Sequence, residues 1–266
     1  MSTPRAVSRV LVRRNLLFLA GLVMVAALTV GSSLATDFSF PAGIASIPKA
    51  FRWMAVNFIP SARAIKALPN IVVKLGETIL VSIMATVLAG GAALVLAIFA
   101  ARTTRPHPAV SAIVRLFASV CRNIPVVAWA MIFLLSFGQN VLTGLLSLFI
   151  GTVGYLTRAY AEAIDETAES SVEALHASGA SWLQTVAQAV FPSVLPQITS
   201  WMLYMLETNI RDATLVGILT GTGIGFLFDI YYKSMNYSAA ALVVIGVIIV
   251  VIAIESTSNA LRKIIL

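Results

Sequence analysis

The chain has 266 residues, of which 59% are hydrophobic and 11% are charged, and its mean hydropathy is +0.94. A soluble domain carries about a quarter charged residues, so this composition excludes an ordinary soluble protein. The net charge of +7 would favour a nucleic-acid partner in a soluble chain, but many of the arginines here flank apolar runs and orient membrane helices. We expect a lipid membrane as the surroundings and no nucleic acid as a partner.

The apolar runs are close to twenty residues long, which is the length of helix that crosses a hydrocarbon core of about 30 Å. This length predicts an all-α integral membrane protein and not a membrane β-barrel. Cys121 is the only cysteine, and His107 and His176 have no second ligand at helical spacing. We therefore expect no disulfide and no metal site.

The first apolar run covers residues 15–35 and follows a cluster of arginines within residues 1–14. Basic residues stay on the cytoplasmic side, so residues 1–14 are predicted to be a cytoplasmic segment and the first helix to run outward. A cleaved signal peptide is the alternative, because Ser33-Leu34-Ala35 resembles a cleavage site. The apolar run is, however, longer than the usual signal core of about 7–15 residues.

Residues 36–70 contain four prolines around a mixed stretch rich in aromatic and basic residues. This composition is typical of an amphipathic helix at the lipid headgroups, and we interpret it as an elbow on the outer face. Five further spans are predicted over residues 71–100, 110–137, 141–160, 194–216 and 238–261. Six spans place both termini in the cytoplasm, with residues 15–266 forming a single transmembrane domain.

The fourth span carries small residues on one face, at Gly144, Ser147, Gly151 and Gly154. Small side chains on one face allow neighbouring helices to approach closely in lipid. We therefore expect this span to pack tightly against other helices.

The longest inner loop, residues 161–193, is acidic in its first half and is predicted to form helix in two pieces. Ser170 and Glu173 have the spacing of an N-terminal capping box, and Gly179 would allow the chain to turn. A short helix over 181–190 would follow, and Pro192 would begin the next span. From the residues alone, the loop is either a docking surface for another protein or a helical hairpin without a partner.

Glu173-Ala174-Leu175, followed by Gly179 and Pro192, resembles the EAA loop of ABC-importer permeases in its spacing. The second alanine of that pattern is replaced by Leu175, the isoleucine by Ala189 and the leucine by Phe191. The chain is also similar to the phosphonate-type branch of these permeases in four segments, which are residues 76–102, 122–133, 173–181 and 207–225. Their order along the chain makes the resemblance more specific than any one segment.

The resemblance implies the type I ABC-importer permease arrangement in a bacterial inner membrane, with about six transmembrane helices and a cytoplasmic coupling helix. It also implies three kinds of partner: a second permease copy in a homodimer, two cytoplasmic ABC ATPase subunits, and an extracytoplasmic solute-binding protein. The chain has no G-x-x-x-x-G-K-[ST] loop, so ATP and Mg would be bound by the ATPases and this chain would hold no cofactor and catalyse nothing. The resemblance assigns ATPase coupling to Glu173, Ala174, Leu175, His176, Ala177, Ser178, Gly179 and Pro192.

Charged residues inside predicted spans are candidates for the translocation pathway, since an unpaired charge there costs about 2.5–3.5 kcal/mol. Glu207 and Arg211 are four residues apart and should pair on one helix face, next to Asp212. Arg122 could attract an anion, pair with an acid such as Glu207, or extend to a headgroup. The complete set of pathway or gate candidates is Arg122, Asn123, Pro125, Glu207, Arg211, Asp212, Gly221, Gly223 and Gly225.

Pro125 is predicted to kink the third span and to free a backbone carbonyl group. The glycines of residues 217–225 resemble a nucleotide-binding loop, but no strand precedes them. We interpret this segment as a flexible re-entrant loop or an external gate.

The sequence therefore predicts a permease subunit of an ATP-driven importer, carrying phosphonate or a related phosphorus oxyanion delivered by a binding protein. One alternative is a permease of the amino-acid or methionine type, and another is a channel or secondary carrier that needs no ATPase. In the channel or carrier, residues 161–193 would be an ordinary surface loop.

Overall fold

A computed structural model describes residues 4–265 of the chain, with side chains for residues 11–62 and 64–264. Residues 1–3 of the predicted N-terminal segment, and the side chains of Arg5 and Arg9, lie outside the described residues. The described residues form helices and turns and contain no strand, which confirms the all-α prediction. They divide into two compact units, one ending at Asn57 and the other beginning at Phe58.

The first unit contains α1 (Pro4–Ala35) and α2 (Phe40–Asn57). The helices of the second unit are α3 (Ala62–Ile65), α4 (Leu68–Ala100), α5 (Pro108–Asn123), α6 (Val126–Phe137), α7 (Val141–Thr167), α8 (Glu169–Ala177), α9 (Trp182–Thr185), α10 (Phe191–Thr220), α11 (Gly223–Lys233) and α12 (Tyr237–Ile265). A π-helical turn, Val186–Val190, joins α9 directly to α10.

Four segments are long and apolar enough to cross a membrane: Leu11–Ala35, Leu68–Ala100, Val141–Thr167 and Tyr237–Ile264. The count rises to six when α5 with α6, and the α9–α10 segment with α11, are each counted as one bent span. The prediction of about six spans is thus confirmed, with two of them broken. The fifth span is longer than predicted, because α10 reaches Thr220 instead of ending at residue 216.

The third span was predicted over residues 110–137 with a kink at Pro125; the structure confirms a bend there but shows a complete break of the helix. α5 ends at Asn123, α6 begins at Val126, and their axes differ by 92°. Pro125 has no N–H and disfavours helical backbone at Ile124, so the helix stops there instead of bending gently. The indole Nε1 of Trp129 donates to the Cys121 carbonyl oxygen at 3.2 Å, so a carbonyl group at the break has a partner.

The predicted elbow region is mostly helical. Its main helix is α2, which contains Pro48 and has no buried side chain. Residues 58–67 belong to the second unit, where the Ser238 hydroxyl donates to the Ile59 carbonyl at 2.9 Å. The location of α2 at the headgroups remains a prediction.

α4, α7 and α10 form the centre of the second unit. The buried face of α4 carries alanines, among them Ala93 and Ala97, and these pack against the fully buried Leu156, Tyr160 and Ile164 of α7. Lipid tails are as apolar as leucine, so membrane helices are held together by close packing and hydrogen bonds and not by burial of apolar surface alone. Alanines therefore serve this interface well, because they let the two helix backbones approach.

The small-residue face predicted for α7 is confirmed. A Cβ atom added to Gly151 would lie 3.0 Å from a Val126 methyl carbon of α6. One added to Gly154 would lie 2.7 Å from the backbone nitrogen of Arg122 and 2.8 Å from the Ala118 carbonyl oxygen, both on α5. Gly154 therefore lets the backbones of α5 and α7 come into contact.

Replacing Gly154 by alanine is expected to destabilise the chain by about 1–3 kcal/mol, because the new methyl group meets backbone atoms that cannot move aside. The matched control is Gly91→Ala in α4, where an added Cβ meets nothing within 4 Å. The control is expected to leave the melting temperature unchanged or to raise it, because alanine favours helix by about 1 kcal/mol over glycine. Equal melting temperatures for the two variants in detergent would contradict the α5–α7 contact.

Candidate functional site

Seven of the eight predicted coupling residues lie on α8 and on the turn that follows it, whereas Pro192 lies in the first turn of α10. Gly179 has a φ of +80°, the left-handed conformation that glycine adopts without strain. Its N–H donates to the His176 carbonyl oxygen at 3.0 Å, and the N–H of Ala180 donates to Leu175 at 3.1 Å. These two bonds form a Schellman motif, which explains why the helix ends here and why glycine follows it.

α8 has one buried face and one exposed face. Val172 is buried, and Leu175 packs against the hydrophobic core made by α4, α7 and α10. Glu173, Ala174 and Ala177 are exposed at helical spacing. The larger residue at position 175 therefore anchors the helix, while the outer face remains small enough for another surface to approach closely.

The capping box predicted for Ser170 and Glu173 was wrong. α8 begins at Glu169, and its N-cap is Ala168, which makes no side-chain cap. A capping box does form one helix later, where the side chains of Ser181 and Gln184 cap α9. Both sites have serine followed three residues later by a glutamate or glutamine, so the local pattern alone could not distinguish them.

The coupling segment, which we define as residues 165–182 from the end of α7 to the start of α9, is attached to the loop after α4. Asp165, near the end of α7, accepts hydrogen bonds from the backbone N–H of Thr103 at 3.0 Å and from its hydroxyl at 2.7 Å. The indole of Trp182 in α9 donates to the Thr104 carbonyl at 2.7 Å. The two ends of the coupling segment, at Asp165 and at Trp182, are thus both hydrogen-bonded to the loop of residues 101–107.

Glu207 and Arg211 form the predicted ion pair, with 2.6 Å between Arg211 Nη1 and Glu207 Oε1. They lie near the middle of the 30-residue α10, not close to one end of it. The Glu207 side chain is 12% exposed, whereas that of Arg211 is 45% exposed. Tyr204 and Leu215 are exposed on the same face of α10 as Arg211, so the chain presents a charged and aromatic surface near the middle of this helix.

Next to this pair, a buried hydrogen-bond network centred on Asn209 joins three helices. Asn209 is 1% exposed; its amide donates to the Thr86 hydroxyl at 2.8 Å, and its side-chain oxygen accepts from Thr152 at 3.0 Å. The backbone carbonyl oxygen of Asn209 accepts a hydrogen bond from the Ser82 hydroxyl at 3.2 Å. We did not predict this network, although an asparagine inside an apolar run is a signal for an interhelical contact.

The segment over 217–225, predicted to be a flexible re-entrant loop or an external gate, is mostly helical in the structure, and α10 and α11 meet there at an angle of 55°. Only Gly221 and Thr222 lie between α10 and α11, and Gly221 takes the left-handed conformation at a φ of +70°. A Cβ on Gly217 would lie 2.5 Å from the Thr222 carbonyl oxygen, and one on Gly225 would overlap the Thr214 carbonyl oxygen. The glycines allow two helices to pack at backbone distance, so close packing and not mobility explains their number.

The start of α11 is fixed to α4 by residues that we did not predict as part of this site. Glu77 accepts the Gly223 N–H at 3.2 Å, and the Thr78 hydroxyl accepts the Ile224 N–H at 2.9 Å. Glu77 also pairs with Lys74 at 2.5 Å. These contacts satisfy backbone donors at the beginning of a helix, where a carboxylate is favourable.

Arg122 is the second-last residue of α5, and it is exposed in this structure. Its proposed partner Glu207 pairs with Arg211, and no carboxylate in the described part of the chain lies within 4 Å of the Arg122 guanidinium. Together with Arg115 and Arg158, Arg122 lines a cavity of about 250 Å³ between α4, α5 and α7. The spacing of Arg115 and Arg122 was a signal for a shared helix face that we did not use.

The predicted residues thus form four separate groups and not one site. The coupling residues lie at one end of the second unit, beside the loop after α4, and the glycine turn lies near the other end, beside the start of α4. The ion pair of α10 and the cavity at Arg122 lie between them. No group of three His, Cys, Asp or Glu side chains that could hold a metal ion occurs within residues 4–265.

Most of the second unit matches a known protein family. Residues 93–265 match the family described as binding-protein-dependent transport system inner membrane component. The matched region contains the coupling segment, the ion pair of α10 and the glycine turn.

Two curated relatives are similar over most of the chain. The "Phosphite transport system permease protein PtxC" of Stutzerimonas stutzeri is 34% identical over 187 residues, which are 70% of this chain and 68% of the relative. The "Phosphate-import permease protein PhnE" of Mycolicibacterium smegmatis is 32% identical over 190 residues, 71% of this chain but only 36% of the relative. The similarity to phosphonate-type permeases predicted from four segments is thus confirmed, although the chain spans about a third of the second relative.

Solved structures support the fold alone. A structure titled "Inward facing conformations of the MetNI methionine ABC transporter" aligns with a TM-score of 0.66 at 18% identity, covering 77% of this chain and 99% of that one. A structure of an amino acid ABC transporter with histidines aligns with a TM-score of 0.64 at 14% identity, covering 75% and 95% of the two chains.

Substitutions at Gly179 test the geometry of the coupling segment. An added Cβ would meet no atom within 4 Å, so the effect of Gly179→Ala is expected to arise from the positive φ alone. Alanine is disfavoured there by about 1–2 kcal/mol, whereas asparagine tolerates this conformation better. Hydrogen exchange at Ala180 is therefore expected to be faster in Gly179→Ala than in Gly179→Asn, and the opposite order would argue against the Schellman motif.

Proposed function

This chain belongs to the family of binding-protein-dependent transport system inner-membrane components, and we propose that it forms the translocation pathway of an ATP-driven importer for a phosphorus oxyanion. The observation that carries the choice of solute is the identity of 32–34% to permeases named for phosphate and phosphite transport. In this proposal a binding protein outside the cell delivers phosphonate, phosphite or phosphate. The chain itself hydrolyses nothing, since ATP and Mg are bound by separate ATPase subunits.

The proposed assembly contains two copies of this chain, two ATPases and one external binding protein, in a bacterial inner membrane. Residues 15–266 act as one transmembrane domain, residues 1–14 lie in the cytoplasm, and the C-terminus lies on the same side. The arginines and lysines near both termini support this orientation. The exposed face of α10 around Arg211 supports the pairing of two permeases, because a half-exposed charge at mid-membrane depth is costly against lipid.

α8 is the proposed coupling helix. Its exposed face of Glu173, Ala174 and Ala177 would fit into a groove of the ATPase, and its buried face would carry the movement into α7 and α10. Switching a two-state protein from about 1:99 to 99:1 needs about 5.5 kcal/mol of differential contact energy. The hydrogen bonds of Asp165 and Trp182, on either side of α8, would hold this lever to the loop after α4 and so support the transmission of such a difference.

The transported solute is tested by reconstituting the chain with its ATPase and binding protein in liposomes. Uptake of radiolabelled phosphite, phosphate, methylphosphonate and methionine is measured with ATP and with a non-hydrolysable analogue. ATP-dependent uptake of one of the phosphorus oxyanions supports the proposal. Uptake of methionine alone would favour the amino-acid type, and ATP-independent uptake would favour a channel or carrier.

The coupling assignment predicts a crosslink from Ala177 to the ATPase. With Cys121 replaced by alanine and a cysteine placed at Ala177, a bifunctional reagent should join the two subunits to an extent that changes with ATP. The control cysteine replaces Ser234, which is exposed at the end of α11, far from α8. Crosslinks of similar yield at both positions, or none at Ala177 when a thiol dye reacts there, would reject the assignment.

The ion pair of α10 provides a second test, which separates a structural role from a role in transport. Arg211→Gln alone is expected to lower the melting temperature, because it leaves the mostly buried Glu207 carboxylate unpaired. Combining it with Glu207→Gln should restore stability but reduce uptake about tenfold or more, if the pair lines the pathway.

The matched control is the ion pair of Asp229 and Lys233 on α11, which has the same spacing and the same 2.6 Å separation. Asp229→Asn with Lys233→Gln should change neither uptake nor melting temperature appreciably, because the double change leaves no unpaired charge and Lys233 itself is 74% exposed. Normal uptake by the Glu207→Gln and Arg211→Gln double variant would show that the pair of α10 is structural only.

A further inference from the structure

The cavity beside Arg122 lies between the middle of α7 and its C-terminal end, on the side that leads to the coupling helix. Its walls come from the last residue of α4, from the C-terminal half of α5, and from Thr157–Glu162 of α7. The break before Pro125 ends α5 just past Arg122. The cavity is lined by α4, α5 and α7 and by no residue of α6.

Three arginines, Arg115, Arg122 and Arg158, line this cavity, against a single carboxylate, that of Glu162. Arg158 is paired with Glu162, at 2.7 Å between Nε and Oε1. Arg115 donates from Nε to the Ala100 carbonyl at 2.9 Å and forms an ion pair with Asp165, at 3.5 Å between Nη2 and Oδ2. Two of the guanidinium groups are thus held in place by protein contacts, and the lining keeps an excess of positive charge.

A second observation points to a ligand in the same cavity. Thr157 lines it, is 1% exposed, and has a hydroxyl group without a hydrogen-bond partner among the residues that the structure describes. The other threonines of α7 behave differently, because Thr143, Thr152 and Thr167 all donate hydrogen bonds from their hydroxyl groups. A buried hydroxyl left unpaired costs about 1–3 kcal/mol, which a bound acceptor would recover.

We propose that this cavity binds a tetrahedral phosphorus oxyanion through Arg115, Arg122, Arg158 and the Thr157 hydroxyl. Arginine presents several donors in a planar fork that matches phosphate oxygens, and a hydroxyl supplies a further donor. The cavity volume of about 250 Å³ lies just below the range of roughly 300–1,000 Å³ typical of small-molecule sites, which suits a compact anion. The group is either a free oxyanion or the phosphate of an anionic lipid headgroup.

The location of this cavity suggests a role for the bound anion in transport. A solute that leaves the mid-membrane region of α10 and moves toward the coupling end of the unit would pass at the level of this cavity. That the occupant is the transported solute rests on the proposed function, whereas anion binding by the three arginines does not. Anion binding by the cavity and transport of that anion are therefore measured in separate experiments.

The test is equilibrium binding of radiolabelled inorganic phosphate to the full chain, assembled with its ATPase, in nanodiscs of neutral phosphatidylcholine without binding protein. Arg122→Gln is expected to weaken binding about tenfold or more, since a hydrogen bond to a charged group contributes about 1.5–3 kcal/mol. The matched control, Arg105→Gln, removes an exposed arginine in the loop before α5 and is expected to leave the affinity unchanged.

Thr157→Val provides a variant whose folding is not at risk, because the hydroxyl that it removes has no protein partner. Its melting temperature is expected to equal or exceed that of the wild type, while phosphate affinity falls about threefold to tenfold. A melting temperature that falls with unchanged phosphate affinity would show that the hydroxyl is structural and would remove it from the site.

The source of the phosphate group is distinguished by repeating the experiment with nanodiscs containing phosphatidylglycerol. Saturable phosphate binding in the neutral discs identifies a free oxyanion. If phosphate does not bind there, but native mass spectrometry shows phosphatidylglycerol retained by the wild type and lost from Arg122→Gln, the occupant is a lipid headgroup. If Arg122→Gln changes the binding of neither phosphate nor phosphatidylglycerol, the proposal is overturned.

Uptake by the reconstituted importer separates this inference from the proposed function. Phosphate binding that depends on Arg122, in an importer that transports no phosphorus oxyanion, would reject the proposed solute and keep the anion site. Normal oxyanion uptake by Arg122→Gln, with unchanged phosphate binding, would reject the anion site and keep the proposed function.

Discussion

The hydrogen bonds of Asn209 are the contact on which the rest of the second unit depends. In hydrocarbon, apolar side chains gain little by leaving lipid for protein, so helices associate through close packing and buried hydrogen bonds. Asn209 supplies bonds from α10 to both α4 and α7 at the depth where water is least available. Breaking one of these bonds would leave a polar group unpaired in an apolar interior. This cost holds α4, α7 and α10 in one relative position.

From this centre, the unit is closed at each end by a different kind of contact. At one end, Glu77 and Thr78 of α4 accept the first N–H groups of α11. At the other end, Asp165 and Trp182 attach the coupling segment to the loop after α4. α4 thus takes part in both closures and in the central network. The helix α4 is therefore the element that connects the two ends of the unit with its centre.

The sequence predicted features that depend on local chemistry, and it failed where the outcome depends on contacts between distant segments. Run lengths predicted the spans, the small face of α7 predicted its tight contacts, and the spacing of Glu207 and Arg211 predicted their pair. Ser170 and Ser181 have equivalent capping patterns, and only the tertiary position of α8 decides between them. The glycines of 217–225 suggested mobility, but their packing partners, such as Thr78, lie far away in the sequence.

The positions of the charged residues follow from the cost of charge in a membrane. Near the middle of α10, Glu207 is paired within its own helix turn, because an isolated charge at this depth costs about 2.5–3.5 kcal/mol. The backbone of Arg122 lies against Gly154 in the middle of α7, yet Arg122 has no carboxylate within ion-pair distance among the described residues. Its side chain instead lines the cavity between α4, α5 and α7, together with Arg115, Arg158 and Glu162. Since Arg115 and Arg158 are paired with Asp165 and Glu162, Arg122 is the arginine of this lining whose charge an anion in the cavity would compensate.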